Sequence, residues 1–206
     1  MGNKIITVGR EFGSGGRAIG ELAAKKMGVK VYDKELIKAA AKASGLWEEL
    51  LDNMDEKPTN SFLYSLVMDP YSYSYQFENQ NFNQNLNQKA FGAVYNTIRT
   101  IADKESAVFI GRCSNYILRD YDNVLNVFIY ASEENRIKRL MERYENMTEK
   151  KAREMIVKQD KARANYYNFY TPYKWGSRAS YDMMIDSALL GVEGTADLLV
   201  EMVDKL

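Results

Sequence analysis

Short apolar runs alternate with stretches of helical periodicity along most of this chain, and that alternation sets the expected architecture. Residues 4–8, KIITV, read as a buried strand, and GRAIGELAAKKMG reads as a helix closed by Gly28. VKVYD is a short second strand. KELIKAAAKASG predicts a second helix with Ile, Leu and Ala on one face and Gly45 as its stop, and LWEELLDNMDEKP continues helically to Pro58. Residues 59–88 break the pattern. They are rich in Tyr, Asn and Gln, carry few charges, and read as a solvated loop, the start of an amide-rich helix or a disordered stretch. From Phe82 the positions Leu86, Ala90, Val94, Ile98 and Ile101 recur at helical spacing and predict a helix to about Asp103.

Beyond it, 107–111 and 124–131 are strands with a short helix, CSNYILRD, between them. Ser132 and Thr148 are placed to cap two further helices, the second running through EKKAREMIVKQDKARANYYNFY. YDMMID is a last strand and VEGTADLLVEMVDKL a last helix. Strands alternating with helices predict an α/β domain whose parallel sheet is covered on both faces. Ligands of such sheets sit beyond the carboxyl ends of the strands. The expected organisation is a single domain over residues 1–206 with a helical, amide-rich insertion at 58–104.

The first strand runs into the stretch GREFGSGGRA, where Gly9, Gly13, Gly15 and Gly16 precede a helix. Three readings compete for it. A plain strand-to-helix turn needs fewer glycines. A dinucleotide fingerprint fits Gly13, Gly15 and Ala18, with Asp33 lying 20 residues after Gly13 at a strand end. Its register is poor, because Gly9, Arg10, Glu11 and Phe12 intervene after Val8, and charges buried in a central strand cost several kcal/mol unless paired. A phosphate-binding P-loop fits the length best. The backbone amides of Gly13, Ser14, Gly15, Gly16 and Arg17 would face a phosphate, aided by the helix dipole. The usual P-loop lysine is missing, and Gly16 stands in its place.

Composition narrows the chemistry further. The 206 residues contain no histidine, which excludes Ser-His-Asp and Cys-His catalysis and histidine-ligated zinc. The lone Cys113 leaves no intrachain disulfide, and it reads as a small buried residue. Lys+Arg and Asp+Glu are both 28, so no overall field favours nucleic acid or an anionic membrane, and neither is an expected partner. MGNKIITVGREF does not look like a signal peptide, and the apolar runs fall short of the ~18 residues of a membrane span. A reducing, cytoplasmic setting is the expectation.

Five blocks, REFGSGGR, YDKELI, IGRCSNYIL, DKARANYY and YDMMIDSALLG, give the chain its resemblance to the cytidylate kinase-like family, P-loop relatives of bacterial CMP kinases. The resemblance implies a P-loop NTPase-like three-layer fold with a central parallel five-stranded sheet, a helical insertion on the acceptor side and a helical lid over residues 146–178. It implies ATP with Mg²⁺ as donor and a small nucleotide as acceptor. CMP kinases have Lys, Gly and Thr where this chain has Gly16, Arg17 and Ala18, so Arg17 is the expected cationic replacement, and Ala18 lacks the hydroxyl that touches Mg²⁺. The magnesium ligands stay unassigned.

By the same resemblance Asp33 and Arg112 face the acceptor, although Asp33 also reads as a helix N-cap. Asp160 and Arg163, three apart on one helical face, are the expected catalytic pair with Arg17. Taken alone they also read as an ordinary surface ion pair. Arg153 is expected near the phosphates. Arg10 is expected to reach acceptor or donor phosphate, or else to pair with Glu11. Three functions remain open: a phosphotransferase moving the γ-phosphoryl of ATP to CMP, dCMP or a related acceptor; a nucleotide-binding protein with little turnover; and a dinucleotide-dependent oxidoreductase.

Overall fold

Burial of the first strand on both of its faces organises the molecule. The structure, a computed structural model, describes residues 2–33 and 80–206. Strand β1 (Ile5–Arg10) lies between β3 (Ala107–Ile110) and β4 (Val124–Tyr130), and β2 (Lys30–Tyr32) and β5 (Met183–Asp186) form the edges. The order is β2-β3-β1-β4-β5, and all pairs are parallel. Ile6 and Val8 point to one face, where Val108, Ile110, Val127 and Ile129 join them. That face is covered by α1 (Gly16–Met27) and α6 (Ser187–Val203) through Ile19, Ala23, Ala196 and Leu199. Ile5, Ala107, Phe109 and Val124 point the other way, onto α2 (Gln80–Lys104) and the single turn α3 (Ser114–Ile117). A strand buried on both faces has no polar alternation to show, which is why these segments read as continuous apolar runs.

Two more helices stand off the sheet. Ser132 and Thr148 cap α4 (Glu133–Arg143) and α5 (Glu149–Tyr170), each accepting from the amide three residues on. Ile137 and Leu140 of α4 pack on Ala152 and Ile156 of α5, a small core separate from the sheet. The aromatic run on α5 is mostly packing: Tyr170 stacks on Phe91 at 4.2 Å, and the Tyr167 hydroxyl accepts from Asn115.

The five-stranded parallel sheet with helices on both faces matches the expectation, and most element boundaries fall within two or three residues of it. One difference matters. β1 does not end at Val8 but runs on to Arg10, because β4 is long enough to pair Gly9 with Phe128 and Arg10 with Ile129. The expected helices at 34–45 and 46–58, and the amide-rich stretch as far as residue 79, lie outside the described residues. Among the described residues no helix is long and apolar enough to cross a membrane.

Phe109 is fully buried and stacked on Tyr32, with ring centroids 5.5 Å apart. Phe109→Ala should cost about 3–5 kcal/mol in denaturant unfolding, the loss typical of an aromatic deleted from a core. A loss under about 1 kcal/mol would show that this face of the sheet is not tightly packed.

Candidate functional site

The loop after β1 is held from outside by side chains of three helices. Ser14 is buried, and its hydroxyl donates to Glu11 O at 2.9 Å while accepting a long bond from Gly16 N. Arg139 of α4 donates to Ser14 O at 2.7 Å, and Ser187 at the start of α6 donates to the same oxygen at 2.6 Å. Phe12 N donates to Asp160 at 2.7 Å, and Asp160 also receives Arg136 at 2.5 Å. Arg163 donates to Arg10 O at 2.9 Å and lies over the Phe12 ring. The loop backbone is thus fixed at residues 10, 12 and 14. Its amides are not all turned to a ligand as the sequence suggests, because Ser14 N and Gly16 N make long bonds within the loop.

Gly13 and Gly15 adopt φ of +79° and +82°, the left-handed region that a side chain disfavours, and this lets the loop turn tightly into α1. A second strained turn follows β3. Gly111, Arg112 and Cys113 take φ of +78°, +59° and +57° in succession. Two non-glycine residues in this region cost of order 1–3 kcal/mol each, and such strain collects at functional sites. Here it directs Arg112 over the Tyr166 ring, 5.0 Å from the centroid.

The result is a gathering of cations at the carboxyl ends of β1 and β3. Burial, then Arg163, Arg112 and Arg17, hold the Arg10 guanidinium well below the usual arginine value, with Asp33 acting the other way. Burial lowers Arg163 as well, opposed by Asp160. Arg10 Nε is buried with no hydrogen-bond partner. Half-buried charge of one sign, with Arg10 Nε left unpartnered, favours an anion.

The expected site residues divide as follows. Arg10, Arg112 and Arg163 come together with the Gly13–Gly16 loop. Arg17 is 59 % exposed and lies along α1, bonded to Glu21 at 2.7 Å and to Asp33 at 3.0 Å. Asp33 therefore meets this group through Arg17, while the helix it was expected to cap lies outside the described residues. Asp160 and Arg163 do not bond to each other. Each reaches the loop, and the partner of Asp160 is Arg136. Glu11 turns away from Arg10 toward Arg136 and the amide of Ala131, so the expected Arg10–Glu11 pair does not form. Arg153 is not brought here. It sits in an exposed ion pair with Glu133 and Glu149.

Sequence reasoning missed Arg136 and Arg139. They are three apart on α4, and a charged helix face ordinarily reads as solvated; their closeness to Ile137 and Leu140, at the buried edge, is the signal that was available. Among the described residues no three His, Cys, Asp or Glu side chains gather as metal ligands, and Ala18 is exposed and has no hydroxyl. These residues do not form a ready magnesium site.

The strand order also separates the readings of the loop. A dinucleotide-binding sheet places β2 beside β1. Here β3 stands between them. A model of the cytidylate kinase-like family matches residues 5–189. A crystal structure of an uncharacterized protein from Eubacterium ventriosum is similar at 29% identity and a TM-score of 0.70, covering 99% of this chain and 100% of that one. Shikimate kinase from Bacteroides thetaiotaomicron shares the fold at 11% identity and a TM-score of 0.50, with 98% of each chain covered. A comparison with curated proteins finds no match.

Two expectations follow from this geometry. Arg136→Ala strips a mostly buried carboxylate of its partner and loosens the loop at Phe12. Unfolding should show a loss of about 1–3 kcal/mol, between the values for exposed and buried pairs. Burial pushes the Cys113 thiol up to about 12, with Arg112 acting the other way. A thiol reagent at about pH 8 should leave the folded protein unlabelled and react only on unfolding. Above the free thiol value of about 8.5 the unfolded chain holds fewer protons than the folded one, so this residue lowers stability as pH rises.

Proposed function

The chain belongs to the cytidylate kinase-like family, and from that premise we propose that it moves the γ-phosphoryl of ATP to a nucleoside monophosphate, CMP or dCMP first, or to a related small acceptor. The observation that carries this reading is the meeting of Arg10, Arg112 and Arg163 beside a glycine loop at the carboxyl end of the central strand. Phosphoryl transfer asks little covalent chemistry of a protein. It asks for in-line placement and for positive charge around the transferred group. A guanidinium suits the task because its planar donors grip two phosphate oxygens at once.

The roles follow from position. The glycine loop and the first turn of α1 would face the donor phosphates, with Arg17 at their edge. Arg163 would reach the transferring phosphoryl from α5, held over the loop by its bond to Arg10 O. Asp160 would position α5 against the loop through Phe12 and Arg136 rather than touch substrate. Arg112 would meet the acceptor, aimed by the strained turn after β3, and Asp33 would hold Arg17 near it. Magnesium would enter as part of the ATP substrate.

A second reading has its own support. Gly16 and Ala18 lack both side chains with which a P-loop commonly grips phosphate and magnesium, which favours a protein that binds nucleotide with little turnover.

A coupled assay for ADP separates the two. The full chain with MgATP should form ADP faster when CMP or dCMP is added than with ATP alone. Arg163→Ala should lower kcat with KM little changed, since an arginine acting on the transferring group is worth about 10³–10⁵ in rate. Calorimetric ATP binding with no acceptor-dependent ADP across a panel of nucleoside monophosphates would leave the binding-protein reading in place.

A further inference from the structure

We propose that Arg10 and Gly16 form a coupled exchange: the cation that grips the polyphosphate has moved from the first turn of α1 to the end of β1, and position 16 is bare because the Arg10 side chain fills the space above it. The ligand is a polyphosphate anion, an identity that rests on the phosphotransferase reading.

The argument begins with strand alternation. Arg10 has the parity of Ile6 and Val8, so its side chain emerges on the face covered by α1. The first residue of α1 is Gly16, and there the two elements nearly touch. A Cβ at Gly16 would stand 2.6 Å from Arg10 Cβ, 3.1 Å from its Cγ and 3.2 Å from Ile129 Cβ. The nearest of these atoms belong to the root of the arginine and not to its flexible end, so no rotamer change relieves the contact. Lysine at 16 and arginine at 10 exclude each other.

The far end of Arg10 tells the same story. Its Nη1 occupies the place a Gly111 side chain would take, at a position whose φ of +78° already favours glycine. Two glycines, one opening α1 and the other following β3, thus bracket one arginine. Between them the guanidinium has a buried, unpartnered Nε and lies in the field of Arg112 and Arg163. Arg17, the alternative replacement for the lysine, lies along α1 in contact with Glu21 and Asp33. Arg10 is under the loop and Arg17 is at its rim.

Inorganic tripolyphosphate probes this site without nucleotide recognition or turnover. Its binding to the full chain is measured by calorimetry, with a thermal melt of every variant. Arg10→Met should weaken binding by about tenfold or more, the loss of a charge-assisted contact, and Arg10→Lys should recover part of it. Gly16→Lys should lower the melting temperature and weaken binding. The double variant Arg10→Gly with Gly16→Lys should recover both, because it removes the collision and returns a cation to the loop.

Any of four results would overturn the proposal. The wild type fails to bind tripolyphosphate; Arg10→Met binds as the wild type does; Gly16→Lys melts with the wild type; or the double variant is no better than Gly16→Lys. Should Arg10→Met be unfolded, the comparison of Gly16→Lys with the double variant still decides. Binding that depends on Arg10, with no acceptor-dependent ADP formed, would sink the phosphotransferase reading and leave this exchange standing.

Discussion

β1 is the middle strand of the sheet, paired with β3 on one side and with the longer β4 on the other, and the site depends on how far the second pairing extends. Pairing with β4 through Gly9 and Arg10 carries the strand two residues past its apolar run. The side chain of Arg10 is thereby committed to the face under α1, in a sheet whose two faces are both occupied by helices. A cation in that position has few ways to be neutralised from within. The neighbours that act on it most are arginines, and the carboxylate that opposes them, Asp33, is shared with Arg17. Burial of unbalanced charge is costly, and an anion brought to the end of the strand would relieve it.

The helices around the loop supply rigidity rather than charge balance. Arg139, Ser187, Asp160 and Arg163 grip the backbone at residues 10, 12 and 14, and Arg136 ties α4 to α5 through Asp160. α4 and α5 share a small core of their own, and Phe12 of the loop packs against it, so the pair grips the loop through apolar as well as polar contacts. The proposed phosphoryl transfer would need donors that do not reorganise when charge develops, and a backbone held at three points meets that need. The strained turn at Gly111–Cys113 belongs with the rigid part, since three left-handed residues in a row hold Arg112 in place and at the same time bury Cys113.

Much of this was legible from the order of residues. The alternation of apolar runs and helical stretches is a local property, and it was enough to predict a parallel sheet between two helical layers. Ser132 and Thr148 announced their helices because a cap is satisfied within four residues. The glycine loop was visible because the backbone conformations it needs are available mainly to glycine. Arg112 and Arg163 could be singled out because one follows a buried strand and the other repeats a spacing of the family.

What the tertiary structure alone decided is which charges meet. Arg17 follows the glycines directly and looked like the substitute for lysine; the end of β2 lies close enough to draw it to Asp33. Asp160 and Arg163 had the spacing of a surface pair, yet each bonds to the loop because α5 lies across it. Arg153 had the right composition around it but faces outward with Glu133 and Glu149. The role of Gly16 as the partner of Arg10 depends on a contact between a strand end and a helix start, and no periodicity records such a contact. Secondary structure is set by near neighbours and can be read along the chain; the pairing of long, flexible charged side chains is set by where the packed elements place their ends.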